Sequence, residues 1–103
     1  MDRLVAWSPE AVEDLRSIAD YIQRDSAFYA KSVVSKLIKT AARLSDFPTM
    51  GREVPELQNP AIREIAVYSY RMIYRFNEPS KQVLIIAIIH GRRLIDAFSD
   101  RFE

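Results

Sequence analysis

The stretch "VLIIAIIHGRR", residues 83–93, decides the fold, because its apolar run ends abruptly at the only histidine of the chain. Such a run predicts a β-strand, Gln82 to Ile89, that is buried on both faces. Helices can cover one of these faces. The other needs a second chain, a partner peptide or the C-terminal tail with Leu94, Ile95 and Phe98.

Two more strands are predicted before this run, because apolar residues alternate with polar ones from residue 62 onward. The first is Ile62 to Val67 and the second is Tyr70 to Phe76. The second strand has two distinct faces, one with Arg71, Ile73 and Arg75 and the other with Tyr70, Met72, Tyr74 and Phe76. Residues 77–81 are predicted to form a turn, and the proline-rich segment Thr49 to Pro60 a loop.

The N-terminal half predicts a short strand, Leu4 to Trp7, followed by two helices. Ser8 is a suitable N-cap, Pro9 fits the first helical position, and Glu10 favours the positive end of the helix dipole. Asp25-Ser26 predicts a break and a second cap, after which apolar residues again recur at helical spacing. Two amphipathic helices with such a short joint predict an antiparallel helical hairpin.

The order of elements is therefore β-α-α-β-β-β. It predicts an α+β fold in which a helical hairpin packs on a small antiparallel sheet, to which the first strand can add at an edge. Asp96 to Glu103 is expected to form a short helix or to fray. With 103 residues, the chain is expected to be a single domain, 1–103.

Composition argues against several kinds of site. The chain has no cysteine and one histidine, which excludes disulfides and thiolate metal sites and makes zinc binding improbable. No metal or cofactor is therefore expected. The sequence contains no apolar run of signal-peptide or membrane-span length, so we expect a cytoplasmic protein without a membrane partner.

Charge is balanced over the whole chain, at +1, but not along it. Between Ile62 and Arg93 there are six basic residues and two acidic ones, and five of the six are arginine. Arginine is suited to planar, bidentate contact with carboxylate or phosphate. The predicted binding residues of this region are Arg63, Arg71, Arg75, Arg92 and Arg93.

Four segments in order resemble the RelE/ParE superfamily of bacterial toxins from type II toxin–antitoxin modules. They are "WSPEAVEDLRSIADYI" (7–22), "LSDFPTMGREVPE" (44–56), "IREIAVYSYRMIYRF" (62–76) and "VLIIAIIHGRR" (83–93). The chain is most similar to the ParE branch, through Trp7-Ser8-Pro9, Phe47-Pro48, Gly51-Arg52, the Tyr70-Arg71 to Tyr74-Arg75 strand and His90-Gly91-Arg92-Arg93.

The resemblance implies a growth-inhibiting toxin that a cognate antitoxin silences by folding its disordered tail across it. ParE-like members poison DNA gyrase without acting as enzymes, whereas RelE-like members cut mRNA in the ribosomal A site. One fold hosts both activities, so the resemblance alone does not choose. A third alternative is a non-toxic member that only binds a partner.

An mRNA endonuclease would need an acid, a base and cations around the phosphate. His90 could be the acid or base, Glu64 is a possible base, and Arg71, Arg92 and Arg63 could stabilise charge. Both branches retain an arginine at the position of Arg71. The nuclease pattern implied by the resemblance is incomplete, because Ile65 stands where a second basic residue is expected and Phe98 where a tyrosine is. A non-enzymatic gyrase inhibitor is therefore our first hypothesis.

The expected contact surface for a target or antitoxin consists of the arginine-bearing sheet face and the tail, namely Arg63, Arg71, Arg75, Arg92, Arg93 and Phe98. An acidic antitoxin would suit these arginines, because charge-assisted pairs are strong hydrogen bonds. The two proteins would form a hetero-oligomer. Operator DNA binding by this chain alone is not expected, since its charge is balanced and it has no recognition helix.

Overall fold

The strands form one sheet with the helical hairpin on one face and the C-terminal segment on the other. The computed structural model describes residues 4–79, 82–91, 93 and 95–102, with the side chains of 96–99 excepted. Its elements are β1 (Leu4–Trp7), α1 (Pro9–Gln23), α2 (Ala27–Arg43), β2 (Arg52–Glu53), β3 (Ile62–Val67), β4 (Tyr70–Asn77), β5 (Gln82–His90) and a C-terminal 3-10 helix (Ile95–Phe102). The order across the sheet is β1-β5-β4-β3-β2.

Both helices begin at the predicted caps. The Ser8 hydroxyl accepts a hydrogen bond from the Ala11 amide at 3.1 Å, and the Ser26 hydroxyl accepts one from the Tyr29 amide at 3.0 Å. Each contact satisfies an amide that has no partner inside the helix. The Ser8 hydroxyl also donates to the carbonyl of Ile86, so the cap joins α1 to β5. The predicted helical hairpin is confirmed.

The sheet differs from the prediction at both edges. β1 adds at an edge, as expected, but it runs parallel to β5 and the sheet is therefore mixed. The predicted loop Thr49 to Pro60 contains β2, whose two residues pair antiparallel with β3. Two residues show no alternating pattern, so periodicity could not reveal this strand. The turn prediction over 77–81 includes residues 80 and 81, which lie outside the described residues.

β5 is buried on both faces, as its sequence predicts. Val83, Ile85 and Ile88 belong to the core beneath the helices, whereas Ile86, Ala87 and Ile89 pack on the other face. The C-terminal helix covers that second face through Ile95 and Phe102. Of the predicted tail residues, Leu94 and the side chain of Phe98 lie outside the described part. The second face of β5 is therefore covered by the tail of the same chain. A second chain and a partner peptide were the alternatives.

An irregularity between β4 and β5 explains why the consecutive residues Ile86 and Ala87 pack on the same face. Tyr74 pairs with Ile85 and Ile73 pairs with Ala87, which leaves Ile86 as an extra residue. Such a bulge turns a strand locally and shifts its alternation. Among the described residues, no helix has the length and apolarity needed to cross a bilayer.

Candidate functional site

Arg71 is held by two carboxylates on the sheet face opposite the helical hairpin. Its Nη1 and Nη2 each donate to an oxygen of Glu56 at 2.8 Å, which is a bidentate pair. Its Nε donates to Oε1 of Glu64 at 2.6 Å, and Nη2 contacts the same oxygen. The Arg71 side chain is only 13% exposed. All three nitrogens of the guanidinium therefore have an internal anionic partner.

Glu64 is the centre of this group. Its side chain is 4% exposed, and its second oxygen accepts a hydrogen bond from Nε of Arg52 and forms an ion pair with Nη2 of the same residue, each at 2.7 Å. A carboxylate removed from water needs such compensation, because burying an unpaired charge is costly. Pairing of Arg52 with Glu64 across β2 and β3 places the two side chains side by side. Glu64, considered from sequence as a base, is thus shared between two arginines.

The pKa values follow these contacts. The hydrogen bond to Glu56 is the main cause that raises the pKa of Arg71 above its ordinary value, and burial acts in the opposite direction. Arg71 therefore stays charged at any physiological pH. The group contains two cations, Arg71 and Arg52, and two anions, Glu56 and Glu64. The charges of these four side chains sum to zero. Arg71, predicted as part of a cationic surface, therefore belongs to a group that is neutral as a whole.

Acid should weaken this group through Glu56. Hydrogen bonding to Arg71 lowers the pKa of Glu56 below its ordinary value of 4.5. Its contribution to stability is then fully present above about pH 4.5 and is lost as pH falls through the lower pKa of the folded state.

We expect Glu56→Gln to weaken the acid dependence of the unfolding free energy, by less than about 1 kcal/mol because the side chain is partly solvated. Urea titrations between neutral pH and about pH 3 measure this. Glu53→Gln, an exposed control on the same segment, should not reproduce the effect, and equal acid dependence in wild type and Glu56→Gln would contradict the assignment.

A buried tyrosine positions the segment that carries Arg52 and Glu56. The Tyr74 hydroxyl donates to the Pro48 carbonyl at 2.7 Å and accepts from the Gly51 amide at 3.0 Å. Burial is the main cause that raises the pKa of Tyr74, so the hydroxyl keeps its proton. The Phe47-Pro48 and Gly51-Arg52 pairs of the family resemblance flank this contact. Packing of the segment therefore explains Pro48 and Gly51, the two residues that bind the hydroxyl.

Arg63 and Arg75 do not join Arg71 in one open patch. Arg63 donates to the Gly51 carbonyl at 2.8 Å and is paired with Tyr74 across β3 and β4, on the helix side of the sheet. Arg75 lies on the same face as Arg71, as predicted, but it donates to the Phe102 carbonyl at 3.2 Å. Both side chains are half-buried. Arg63 and Arg75 thus stabilise the fold at separate places.

His90 lies on the opposite face from Arg71. It pairs with Tyr70, whereas Arg71 pairs with Ile89, and neighbouring residues of a strand point to opposite faces. The His90 and Tyr70 rings meet edge to face, with centroids 5.9 Å apart. The nuclease hypothesis required His90 to work with Arg71, and the sheet separates them. Arg92 and the side chain of Phe98, which belong to the predicted set, lie outside the described residues.

A second group of polar residues surrounds His90. A cavity of about 540 Å³ is lined by His90, Tyr70, Asp14, Arg93 and Arg101, among others. Asp14 accepts from Nη1 of Arg101 at 2.6 Å and from the Ile88 amide at 3.0 Å, so it joins α1, β5 and the tail. Burial is the main cause that raises the pKa of Tyr70, with smaller effects from Tyr29 and Tyr21. Tyr70 is thus a neutral hydroxyl at physiological pH.

Sequence reasoning missed Glu56, Arg52 and Asp14 as partners. Glu56 lies in the predicted loop, 15 residues from Arg71, and no local pattern connects them. One signal was available in the sequence. Glu64 lies on a strand between Ile62 and Ile65, and a charged residue buried at such a position needs a partner of opposite charge. Within the described ranges, no group of three or more acidic or histidine side chains is arranged to hold a metal ion.

Comparisons with known proteins agree with the fold. Residues 5–95 match the family described as "ParE toxin of type II toxin-antitoxin system, parDE". The chain is 32% identical over 90 residues to Toxin RelE2 of Caulobacter vibrioides, covering 87% of this chain and 97% of that protein. It is 27% identical over 92 residues to Toxin ParE3 of the same organism, covering 89% of each.

Solved structures show the same architecture. The chromosomal ParDE toxin–antitoxin system from P. aeruginosa gives a TM-score of 0.69 at 20% identity, covering 85% of this chain and 95% of that one. A mutant of E. coli toxin RelE in the free state gives 0.66 at 16% identity, covering 99% and 92%. These likenesses establish the shared fold, and the family match spans most of the sequence. The chain belongs to the ParE toxin family of type II toxin–antitoxin systems, within the RelE/ParE superfamily.

Proposed function

We propose that this toxin inhibits growth without enzymatic activity, by poisoning DNA gyrase in the cytoplasm, and that a cognate antitoxin neutralises it in a hetero-oligomer. The observation that carries the proposal is the enclosure of Arg71 by Glu56 and Glu64. Phosphate binding by Arg71 would require it to leave two carboxylates that already use all its nitrogens. The match to the ParE family supports gyrase as the target.

The placement of the acid–base candidates supports the same proposal. Cleavage of RNA needs the base, the acid and the stabilising cations around one phosphate. Here His90 and Arg71 lie on opposite faces of the sheet, and Glu64 is occupied by Arg52 and Arg71. No single phosphate can contact His90 and Arg71 across the sheet. Among the described members of the predicted contact set, Arg93, which follows β5, is exposed.

A gyrase assay run beside an mRNA cleavage assay tests this proposal. Purified toxin is expected to reduce supercoiling by gyrase and to trap gyrase with cleaved DNA, while mRNA on ribosomes stays intact. The purified cognate antitoxin should abolish both effects on gyrase. Unchanged supercoiling with no trapped DNA would exclude gyrase as the target.

The alternative is a ribosome-dependent mRNA endonuclease acting from the other face of the sheet. Two observations favour it as the second candidate: the 32% identity to Toxin RelE2, and the cavity where His90 adjoins Arg93 and Arg101. It predicts ribosome-dependent cuts in mRNA that His90→Ala lowers at least 100-fold, the usual contribution of a general acid or base. His90→Ala should leave inhibition of gyrase unchanged if the first proposal is correct.

A further inference from the structure

A row of exposed lysines lies on α2, on the side next to the turn between β3 and β4. The helix carries four basic residues and no acidic one. Lys31, Lys36 and Lys39 are exposed, and none of them takes part in the ion pairs found among the described residues. Arg52 and Arg71, by contrast, are paired with carboxylates. The charge of these lysines is therefore available to an anionic partner.

The three lysines border a groove between α2 and the β3–β4 turn, called the α2 groove below. Its volume is about 480 Å³, and it is lined by these lysines, two serines of α2 and the aromatic residues Phe28 and Tyr68. Along the helix axis, Lys31 and Lys36 are about 8 Å apart and Lys36 and Lys39 about 5 Å. A flexible polyanion can therefore contact the three ammonium groups one after another.

Two exposed aromatic rings flank the lysines of the α2 groove. Phe28 is 83% exposed and Tyr68 is 59% exposed. Phe28 belongs to the first turn of α2, and Tyr68 to the two-residue turn that the pairing of Val67 with Tyr70 closes. Within the described lining of the groove there is no aliphatic side chain. The rings therefore offer flat faces on which a planar group can stack, and not a hydrophobic groove.

The backbone at Tyr68 is an independent observation that points to the same groove. Its φ is 55°, in the left-handed region that glycine adopts without strain and that hairpin turns of this length commonly require. Packing does not explain a tyrosine here, because most of its side chain is in water. Unfavourable backbone conformations are retained mostly at functional positions. The position of the Tyr68 ring at the groove supplies such a function.

We propose that the α2 groove binds single-stranded nucleic acid, with phosphates on Lys31, Lys36 and Lys39 and bases stacked on Phe28 and Tyr68. A row of cations beside exposed aromatic rings is the arrangement by which proteins hold single strands without reading their sequence. The inference goes beyond the proposed function and does not depend on gyrase as the target. Operator DNA remains an unsuitable ligand for the chain alone, because the bases of a duplex are paired and stacked on one another.

Other polyanions fit the α2 groove less well. Duplex DNA would use the lysines but keep its bases away from both rings. An acidic amphipathic helix needs a hydrophobic groove for its apolar face, and the described lining has no aliphatic side chain to form one. An anionic membrane would attract the lysines, but the same lining offers no aliphatic side chain to insert among acyl chains. A single strand uses both the cations and the rings.

Fluorescence anisotropy of labelled oligonucleotides tests the proposal on the full chain. A short single strand of mixed sequence is expected to bind with a Kd of about 1–100 µM at physiological salt. The same sequence as a duplex should bind at least tenfold more weakly. DNA and RNA strands should bind within a factor of about three of each other, because phosphates and base faces are common to both. Undetectable binding of the single strand would overturn the proposal, as would equal or tighter binding of the duplex, of phosphatidylserine vesicles or of a polyglutamate peptide.

The salt dependence of binding measures the contribution of the lysines. Three phosphate contacts to a single strand predict a slope of about −2 for log affinity against log salt concentration. The variant Lys31→Gln/Lys36→Gln/Lys39→Gln should bring this slope close to zero and lower the affinity at low salt at least tenfold. The control is Arg16→Gln on α1, which removes an exposed charge away from the groove and should change neither quantity. An unchanged slope in the lysine variant would show that the strand binds elsewhere.

Substitutions of the two rings test stacking. Phe28→Leu and Tyr68→Gly should each lower the affinity for the single strand at least fivefold and leave the salt slope unchanged, whereas Tyr68→Phe should bind like wild type. Tyr68→Gly should also keep or raise the Tm, because glycine relieves the backbone strain, while a merely structural role of Tyr68 predicts a lower Tm. Circular dichroism verifies that each variant is folded. Wild-type affinity in both Phe28→Leu and Tyr68→Gly would refute the assignment.

Discussion

Glu64→Leu is expected to lower the free energy of unfolding by about 3 kcal/mol. The substitution removes the carboxylate that compensates Arg71, whose side chain is 13% exposed. The expected loss is near the lower end for a buried pair, because Arg71 keeps Glu56 and the exposed Arg52 returns to water. Urea denaturation followed by circular dichroism measures it.

The control for Glu64 is Glu13→Gln, which removes an exposed ion pair with Arg16 on α1. Such pairs contribute little, so its effect should stay within about 0.5 kcal/mol. The double variant Glu64→Leu/Arg71→Met should recover part of the loss, since replacing a whole buried pair by apolar residues is far less costly than breaking it. A loss below about 1 kcal/mol for Glu64→Leu would mean that Arg71 does not depend on it.

Gly51→Ala is expected to lower the free energy of unfolding by about 3 kcal/mol as well, for a steric reason. A Cβ at this position would lie 2.6 Å from the Glu64 carbonyl oxygen and 2.8 Å from the Tyr74 hydroxyl. The backbone oxygen cannot move without disturbing β3. Relief of the clash would instead displace the Gly51 amide from the Tyr74 hydroxyl and leave a buried donor unpaired.

The other glycine of the chain is a matched control for Gly51. A Cβ on Gly91 would lie 3.4 Å from the Ser69 carbonyl oxygen, which is ordinary contact. Gly91→Ala should therefore change stability by less than about 1 kcal/mol, and the smaller freedom of alanine in the unfolded chain favours a slight gain. Thermal and urea unfolding of both variants provide the comparison. Equal losses in the two would contradict the steric explanation.

Local patterns in the sequence were sufficient for most elements of the fold. The caps at Ser8 and Ser26 depend on residues within one helical turn, and the faces of β4 depend on strict alternation. The strand Gln82 to Ile89, which the structure extends by one residue to His90, was evident from the sequence because its apolar run exceeds what one buried face needs. β2 and the parallel pairing of β1 were not evident from the sequence, because both depend on contacts between residues that are distant in the chain.

The site was less accessible from sequence than the fold. The arginine-rich composition between Ile62 and Arg93 suggested an open cationic surface, yet Arg71 binds Glu56 and Glu64. Charge counts over a segment omit carboxylates that the fold brings in from elsewhere. The exposed lysines of α2, by contrast, have no such carboxylate in the described structure.

The sequence alone therefore determined the helical hairpin, the apolar central strand and the family, because each depends on spacing within a short segment or on ordered similarity along the chain. Only the tertiary structure decided which charges remain available. Ion pairing depends on distances between side chains that are far apart in sequence, and the sheet places Arg71 beside two carboxylates while it places His90 on the other face.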